Sequence, residues 1–372
     1  MKSAEREIPL AQPVIDEREV DLVSEVLRSG RLSLGPVTRE FEQRFAERVG
    51  GAHAAAVANG TMGLHLCVRA AGIRPGDEVI TSPFSFVASA NCFIYEGGVP
   101  VFADIDRGTL NLDPAAVEAA VTPRTKAVVA VDIFGYPAEL DELKAICDRH
   151  GLALIEDSCE ALGAEYKGRT LGSHGWPAVF AFYPNMQMTT GEGGMIVTGD
   201  EAEWRLFKSL SNQGRADDGG WLEHARFGYN YRLDDVASAI GIGQLEKLDA
   251  ILEARGEVAA RYRELLAGVD VELPLEDDAD HKRSWFVYVV ALPEGADRER
   301  VIGELERRGV ASSRYLPSIH LQPYMRERYG FGEGLCPVSE GISARTVALP
   351  FFAALERGDQ EYVVDALRSA LG

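Results

Sequence analysis

The sequence has little cysteine and is short of basic residues. Its five cysteines form no C-x-x-C pair, which argues against a zinc site or a dithiol redox motif. We therefore expect buried, reduced thiols in a cytosolic protein. Lys and Arg number 38 against 58 Asp and Glu, a formal net charge of -20. This acidic balance argues against non-specific binding of nucleic acid or of anionic membranes.

Long apolar runs are also missing. None comes near the roughly 20 residues of a membrane-spanning helix, and the opening MKSAEREIPL lacks the apolar region of a signal peptide. The histidines show no metal-ligand spacing, so we expect no metal site. Together these features predict a soluble, cytoplasmic protein.

Short β-rich runs alternate with helical patterns through the first two-thirds of the chain. Continuous apolar strands that alternate with helices predict an α/β domain with a mainly parallel, buried sheet. The predicted strands are Ala54–Ala58, Glu78–Thr81, Val101–Asp104, Ala127–Asp132, Leu152–Glu156, Val179–Tyr183 and Met195–Thr198. Helical patterns between them include Leu64–Ala71, Pro114–Ala120 and Leu140–His150.

The pattern changes near Asp234. A long helical stretch over Val236–Leu266 is followed by the polar segment Glu276–Arg283. After it we predict strands at Trp285–Leu292 and Ala311–Tyr315, and helices at Arg298–Arg308 and Gln360–Leu371. This predicts two domains, a large α/β domain over residues 1–248 and a smaller α+β domain over residues 249–372.

Four loops follow predicted strands and should meet at one crevice, beyond the carboxyl ends of the sheet. The first, Asn59-Gly60-Thr61, opens a helix. Its free N–H groups suit a phosphate, although a plain helix cap is a common alternative. No G-x-G-x-x-G follows the first strand, which argues against a nicotinamide-dependent dehydrogenase.

Two further loops carry a carboxylate and an aromatic ring. Asp157 ends a strand, where it can cap a helix or face a cationic ring nitrogen. Phe86 can belong to the core or stack on a flat ring. A phosphate cradle, a stacking ring and a buried carboxylate are together what pyridoxal phosphate requires. That cofactor also needs a lysine, yet the loop after the sixth strand reads Asn185-Met186-Gln187.

The chain resembles, nearly end to end, the DegT/StrS-type nucleotide-sugar aminotransferases, which are fold-type-I pyridoxal-phosphate enzymes. Eight segments carry the resemblance, in the order and spacing of that family. They are IPLAQPVIDEREV, LRSGRLSLGPVTREFEQRFAERVG, NGTMGLHL, GDEVITSPFSFVASAN, IEDSCEALGA, FYPNMQMTTGEGGMIVT, GYNYRLDDVASAIGIGQLEKLD and LPSIHLQP.

The resemblance implies a mainly parallel, seven-stranded sheet flanked by helices, with a smaller C-terminal α+β domain. It implies pyridoxal 5'-phosphate (PLP) and pyridoxamine 5'-phosphate (PMP) as cofactor forms. The implied cofactor-binding residues are Gly60, Thr61, Phe86, Asp157, Glu160 and Asn230, the last reaching the phosphate of a neighbouring subunit in a homodimer. The implied substrate-binding residues are Ser33, Tyr183, Arg232, Tyr315 and His320. The expected substrates are a nucleotide-linked keto sugar and L-glutamate, which leaves as 2-oxoglutarate.

The chain departs from the family pattern at two positions. Many relatives have Ser where this chain has Ala181, which removes one phosphate hydroxyl. The second departure concerns the chemistry, since the pattern Y-P-N-K-x-M-T-T-G-E-G-G places the Schiff-base lysine at position 186, where this chain has Met186. Methionine resembles lysine in length and bulk, but it neither forms a Schiff base nor carries a proton.

Three hypotheses account for Met186. The chain can be an engineered, inactive aminotransferase that traps the external aldimine between the cofactor and the amino sugar. It can be a natural variant with other chemistry, since some relatives with His at this position are sugar dehydratases. It can also be a non-catalytic binding or regulatory protein. The intact residues around Met186 favour the first hypothesis. A further alternative is that the letter M at position 186 stands for a modified residue.

Overall fold

The computed structural model describes residues 6–216 and 223–372. The strands are β1 (His53–Val57), β2 (Glu78–Thr81), β3 (Val99–Phe102), β4 (Thr125–Val131), β5 (Ala153–Asp157), β6 (Glu165–Tyr166), β7 (Arg169–Thr170), β8 (Ala178–Ala181), β9 (Gly194–Thr198), β10 (His281–Lys282), β11 (Tyr288–Ala291), β12 (Ser313–Arg314) and β13 (Thr346–Leu349).

Helices precede, separate and follow these strands. They are α1 (Glu17–Ser29), α2 (Pro36–Val49), α3 (Gly60–Ala70), α4 (Ala88–Ile94), α5 (Pro114–Ala120), α6 (Leu140–His150), α7 (Glu201–Ser211), α8 (Asp235–Glu246), α9 (Leu248–Leu265), α10 (Arg298–Arg307), α11 (Pro323–Tyr329), α12 (Pro337–Ser343) and α13 (Arg357–Leu371). In the described part of the chain, no helix is both long and apolar enough to cross a membrane.

The large sheet has seven strands in the order β1-β9-β8-β5-β4-β2-β3. Strand β9 pairs antiparallel with both β1 and β8, whereas the other neighbouring pairs are parallel. Among the described strands of this sheet, β9 alone runs opposite to the others, and the predicted mainly parallel sheet is confirmed. Its parallel strands bring their carboxyl ends, and the loops that follow them, to one edge.

Helices cover both faces of the large sheet because its side chains alternate between the two faces. On β4, Val129 packs in a cluster on one face, while Val128 and Ala130 pack in a cluster on the other. Phe41 and Phe45 of α2 are fully buried against one face. Burial of a side chain of this size stabilises the fold by about 1.5–3 kcal/mol, so the sheet is held between two apolar layers.

Local sequence signals account for the ends of several helices. Asp16 caps the start of helix α1 by accepting a hydrogen bond from the Arg18 N–H, while the Glu19 side chain accepts one from the Asp16 N–H. The helix ends at Gly30, which adopts a left-handed conformation with φ 69°. Asp or Asn before a helix and Gly after it are the residue types that satisfy unpaired main-chain groups at helix ends.

The long predicted helix Val236–Leu266 is wrong as one element, because the structure has two helices that meet at Lys247. Helix α8 packs on α1 and α2, whereas residues of α9 pack in the C-terminal apolar cluster. The two helices face different cores, and an apolar pattern alone does not show where the core changes.

The domain boundary at residues 248 and 249 falls at this junction and stays a prediction. The first predicted domain includes residues 1–5 and 217–222, which lie outside the described residues.

A three-stranded antiparallel sheet, ordered β11-β13-β12, forms the centre of the C-terminal part. Helices α9, α10 and α13 pack on it through buried side chains such as Tyr262, Val301 and Val363. The predicted strands Trp285–Leu292 and Ala311–Tyr315 are shorter in the structure, and β13 was not predicted. Strand β13 has four residues and lies between two proline-containing segments. A run of four residues is too short for a periodic signal.

Candidate active site

A cavity of about 490 Å³ lies at the carboxyl edge of the large sheet. This volume is in the range of small-molecule sites. Eight residues that the sequence analysis singled out line it together, although they come from distant parts of the chain. They are Gly60, Thr61, Phe86, Asp157, Glu160, Tyr183, Met186 and Tyr315.

The first wall of the cavity is the beginning of α3. The Asn59 side chain caps the helix by accepting a 2.9 Å hydrogen bond from the Met62 N–H. A Cβ atom at Gly60 would lie 2.8 Å from Sγ of Cys159 and 2.9 Å from Cβ of Ala181. Only glycine allows this close approach, so the free N–H groups and the positive end of the helix dipole sit at the cavity.

Asp157 supplies a buried carboxylate in the cavity wall. Its Oδ2 accepts a 2.7 Å hydrogen bond from the Ser89 hydroxyl, and its Oδ1 accepts one of 3.3 Å from the Cys159 N–H. Burial raises the pKa of Asp157, and these hydrogen bonds oppose that rise. Among the described residues, Asp157 has no cationic partner in an ion pair. The carboxylate is therefore placed to pair with a cationic group of a ligand.

Glu160 is a second carboxyl group in the same wall. Its Oε2 accepts a 2.8 Å hydrogen bond from the Phe134 N–H. Burial raises the pKa of Glu160 to about 8, the hydrogen bond opposes the rise, and the charge of Asp157 adds to it. At neutral pH the group is largely protonated, so it can donate a hydrogen bond into the cavity.

Two aromatic rings stand at the cavity with much of their surface uncovered. Phe86 is 60% exposed and Tyr183 is 53% exposed. By contrast Phe84, two residues before Phe86, is fully buried and packs edge-on against Phe134. An exposed phenylalanine at a cavity wall is available to a flat ligand, whereas Phe84 belongs to the core.

Met186 is half-buried and reaches the cavity from the loop between β8 and β9. Its N–H donates to the Tyr183 carbonyl oxygen at 2.9 Å, and its carbonyl oxygen accepts a 2.8 Å hydrogen bond from Arg255. The neighbouring Gln187 side chain donates to the Glu160 carbonyl oxygen at 2.6 Å. These contacts hold the loop against the sheet on both sides of residue 186.

Four predicted site residues do not line this cavity. His320 is fully buried, with its Nε2 2.9 Å from Oε1 of Glu340. Ser33 lies in the exposed turn between α1 and α2, and Asn230 is exposed. Arg232 lines a separate cavity of about 490 Å³, where it donates a 3.1 Å hydrogen bond to Asn212. Within one chain these residues are therefore not brought to the cavity that contains Asp157.

The orientation of Asn230 follows from its neighbours. Tyr229 and Tyr231 stack on each other with ring centroids 4.8 Å apart, and both face His65. The Tyr229 hydroxyl also donates a 2.7 Å hydrogen bond to Glu96. In this extended segment side chains alternate in direction, so Asn230 is turned to the opposite side.

Sequence reasoning missed Ser89, Gln187 and Arg255. Ser85 precedes α4 and Ser89 lies in its first turn, so helical periodicity does not relate the two hydroxyls. No local sequence pattern therefore pointed to Ser89. Arg255 gives no local signal, since 69 residues separate it from the Met186 carbonyl that it binds.

The described residues include no group of three or more His, Cys, Asp or Glu side chains suited to a metal ion.

Comparison with known proteins identifies the class to which this fold and site belong. Residues 13–368 match the DegT/DnrJ/EryC1/StrS aminotransferase family. The chain belongs to that family of PLP-dependent sugar aminotransferases, and it has their fold-type-I architecture.

Particular relatives cover nearly the whole chain. The spore coat polysaccharide biosynthesis protein SpsC of Bacillus subtilis (strain 168) is 37% identical over 375 residues, which are 97% of this chain and 96% of SpsC. The crystal structure of S. venezuelae DesV in complex with a ketimine intermediate is similar with a TM-score of 0.90 and 33% identity, over 97% of this chain and 98% of DesV. The PLP form of Spr1654 from Streptococcus pneumoniae is similar with a TM-score of 0.93 and 26% identity, over 98% and 99% of the two chains.

Proposed function

We propose that this chain has the architecture of an enzyme that transfers an amino group from L-glutamate to a nucleotide-linked keto sugar. We further propose that Met186 occupies the position of the Schiff-base lysine, so that this chain lacks the activity. The observation that carries the proposal is one cavity that gathers the start of α3, the Phe86 ring, the Asp157 carboxylate and the Met186 side chain.

The residues of the cavity fit PLP. The beginning of α3, with Gly60 and the Thr61 hydroxyl, offers hydrogen-bond donors to a phosphate. Asp157 is a buried carboxylate without a cationic partner among the described residues, and a protonated pyridine nitrogen would supply one. When bound, PLP supplies an electron sink for the electron pair released when a Cα–H bond breaks.

Three side chains of the cavity wall would then bind and orient the cofactor ring. Asp157 would favour a protonated ring nitrogen, because the charged carboxylate lowers the free energy of a cation beside it. Phe86 would cover one face of the ring and exclude water from it. Glu160, largely protonated at neutral pH, would donate a hydrogen bond to an oxygen on the ring, the role we assign to it from its place in the wall.

The missing task is proton transfer at position 186. A lysine amine there would accept and return the substrate proton, whereas the Met186 thioether does neither. Loss of general acid–base catalysis alone lowers a rate by about 10²–10⁴. The loss of covalent attachment adds to this, so we expect the chain to bind PLP or PMP without turning over.

A homodimer would complete the site. Asn230 and Arg232 lie outside their own chain's PLP cavity, and Asn230 is exposed. In the proposed dimer Asn230 reaches the phosphate in the partner's cavity, and Arg232 binds the carboxylate of the amino donor. The turned-out position of Asn230 between two inward-facing tyrosines supports this arrangement.

The test is the substitution Met186→Lys, with Met186→Gln as a control of similar length that lacks an amine. Each protein is mixed with PLP, L-glutamate and a set of nucleotide-linked keto hexoses, and 2-oxoglutarate is measured. We expect activity with Met186→Lys only, and borohydride should fix PLP on the introduced lysine.

No gain in activity over the Met186 chain would overturn the inactive-aminotransferase proposal. PLP fixed on Lys167 or Lys208 would show that the attachment position is elsewhere, and failure of every form to bind PLP or PMP would favour a non-catalytic protein.

A further inference from the structure

Arg255 of α9 is a buried cation whose hydrogen bonds go to main-chain carbonyls. The residue is 3% exposed. Its Nη2 donates to the carbonyl oxygens of Asn185 at 3.1 Å and Met186 at 2.8 Å. Its Nη1 lies 3.4 Å from the Phe286 carbonyl oxygen. Among the described residues it forms no ion pair, and its guanidinium carbon is 5.4 Å from the centroid of the Phe351 ring.

Such an arrangement is costly, because a buried guanidinium loses its hydration without gaining a carboxylate. Burial lowers the pKa of Arg255 to about 10, so the group still carries its charge at neutral pH. What it gains is a fixed set of carbonyl contacts in two segments, the loop 185–186 and the segment before β11, and a ring contact in a third segment, after β13. Arg255 thus joins the C-terminal part to the loop at the cavity.

These contacts hold the main chain on both sides of residue 186. Its N–H is bound to the Tyr183 carbonyl and its own carbonyl is bound by Arg255. The next side chain, Gln187, is buried and bound to the Glu160 carbonyl and to Oγ of Ser284 at 3.2 Å. With both sides of its peptide held, the side chain of residue 186 points into the cavity, whose wall it forms.

We infer that Arg255 is a positioning residue that holds the peptide of residue 186 and whose fixed charge favours the uncharged form of a lysine amine placed there. The charge effect rests on the proposed function, while the positioning effect does not. A cation disfavours a second cation nearby. Two like charges roughly 8 Å apart, at an effective dielectric constant of about 20, change a pKa by on the order of one unit.

The positioning effect is tested on the chain as it is, by hydrogen exchange of residues 183–188 followed by mass spectrometry. Arg255→Met is compared with Arg283→Met. Arg283 is a matched control, because it too is buried, binds a carbonyl (Phe134, 3.0 Å) and faces aromatic rings, yet it does not contact the loop. We expect hydrogen exchange at least about tenfold faster in Arg255→Met only.

Equal exchange rates in the two variants would overturn the positioning role. Should Arg255→Met not fold, Arg255→Lys, which keeps the charge and loses the two-carbonyl fork, takes its place with Arg283→Lys as control.

The charge effect is tested in the Met186→Lys protein without cofactor. The acetylation rate of the introduced amine is followed against pH by mass spectrometry, which gives the pKa of that amine. We expect Arg255→Met to raise this pKa by about one unit, since a repelling cation is removed, while Arg255→Lys leaves it nearly unchanged. Equal pKa values in all three proteins would overturn the charge effect. Because this measurement needs neither PLP nor a sugar, its outcome is separate from the success or failure of the proposed function.

Discussion

The Ser89 hydroxyl donates a 2.7 Å hydrogen bond to Oδ2 of Asp157 and so joins the first turn of α4 to the end of β5. The Ser85 hydroxyl lies 2.7 Å from that of Ser89 and extends the chain of hydroxyls. Asp157 is buried, and burial raises its pKa. The serine therefore both orients the carboxylate and favours its charged form, which is the form that a cationic ring nitrogen requires.

Replacement of Ser89 should weaken PLP binding. In Ser89→Ala the Asp157 carboxylate loses a donor, so its charged form becomes less favourable in the buried wall. A hydrogen bond to a charged group contributes about 1.5–3 kcal/mol, and we expect the Kd for PLP to rise by about tenfold or more. Fluorescence titration with PLP measures it. Ser85→Ala, which touches Asp157 only through Ser89, should have a smaller effect, and equal affinities in all three proteins would contradict the assigned role.

Addition of a methyl group at Gly60 should disturb the start of α3. In Gly60→Ala the new Cβ would approach Cys159 and Ala181 to less than 3 Å. Overpacking of this kind costs about 1–3 kcal/mol of unfolding free energy, and movement of the helix start should also lower PLP affinity. Gly256→Ala is the control, because nothing lies within 4 Å of a Cβ there and the residue is inside α9. Alanine in a helix interior is favourable by about 1 kcal/mol. Urea unfolding that shows equal stability changes at both positions would argue against a tight approach at Gly60.

The two phenylalanines Phe84 and Phe86 should separate binding from stability. Phe86→Leu removes an exposed ring, so the unfolding free energy should stay within about 0.5 kcal/mol. The loss of ring stacking, about 0.5–1.5 kcal/mol, should raise the Kd for PLP by roughly threefold to tenfold. Phe84→Leu changes a fully buried ring and should lower stability by up to about 1.5 kcal/mol. Thermal unfolding and PLP titration on both variants check this, and a Phe86→Leu protein that binds PLP normally would exclude ring stacking.

Glu160 should make the stability of the PLP-free protein depend on pH. The usual pKa of 4.5 for the unfolded chain rises to about 8 on folding. Between these values the folded state holds a proton that the unfolded state has lost. The free energy of unfolding therefore falls as pH rises from 4.5 to 8, by up to about 1.4 kcal/mol per pH unit.

The substitution Glu160→Gln isolates this effect. The variant cannot titrate at position 160. The difference in unfolding free energy between the variant and the Glu160 protein should therefore grow in favour of the variant from about pH 5 to about pH 8 and then level off. Other buried acids such as Asp132 are present in both proteins and cancel in the difference. Urea unfolding at several pH values measures it. Two parallel stability profiles would show that Glu160 titrates near its ordinary pKa in the folded protein.

The fold class and the main loops of the site could be predicted because they depend on local patterns. Continuous apolar runs between helical patterns predict buried parallel strands, and their carboxyl ends must meet at one edge. The cavity confirms that the loops at Gly60, Phe86, Asp157 and Met186 lie together. The chemical roles of these residues stay predictions. The helix break at Lys247 escaped prediction, since two helices in succession with apolar faces look like one long helix when only their periodicity is considered.

The sequence by itself determined the acidic composition, the alternation of strands and helices, the glycine at the start of α3 and the methionine in the loop after β8. Only the tertiary structure decided that Ser89 binds Asp157, that Arg255 holds the peptide of residue 186, and that Asn230 is exposed and does not line its own chain's cavity. The physical reason is distance along the chain. A side chain's partners 60 or more residues away are set by how helices and sheet pack, and no local pattern of residue types records that packing.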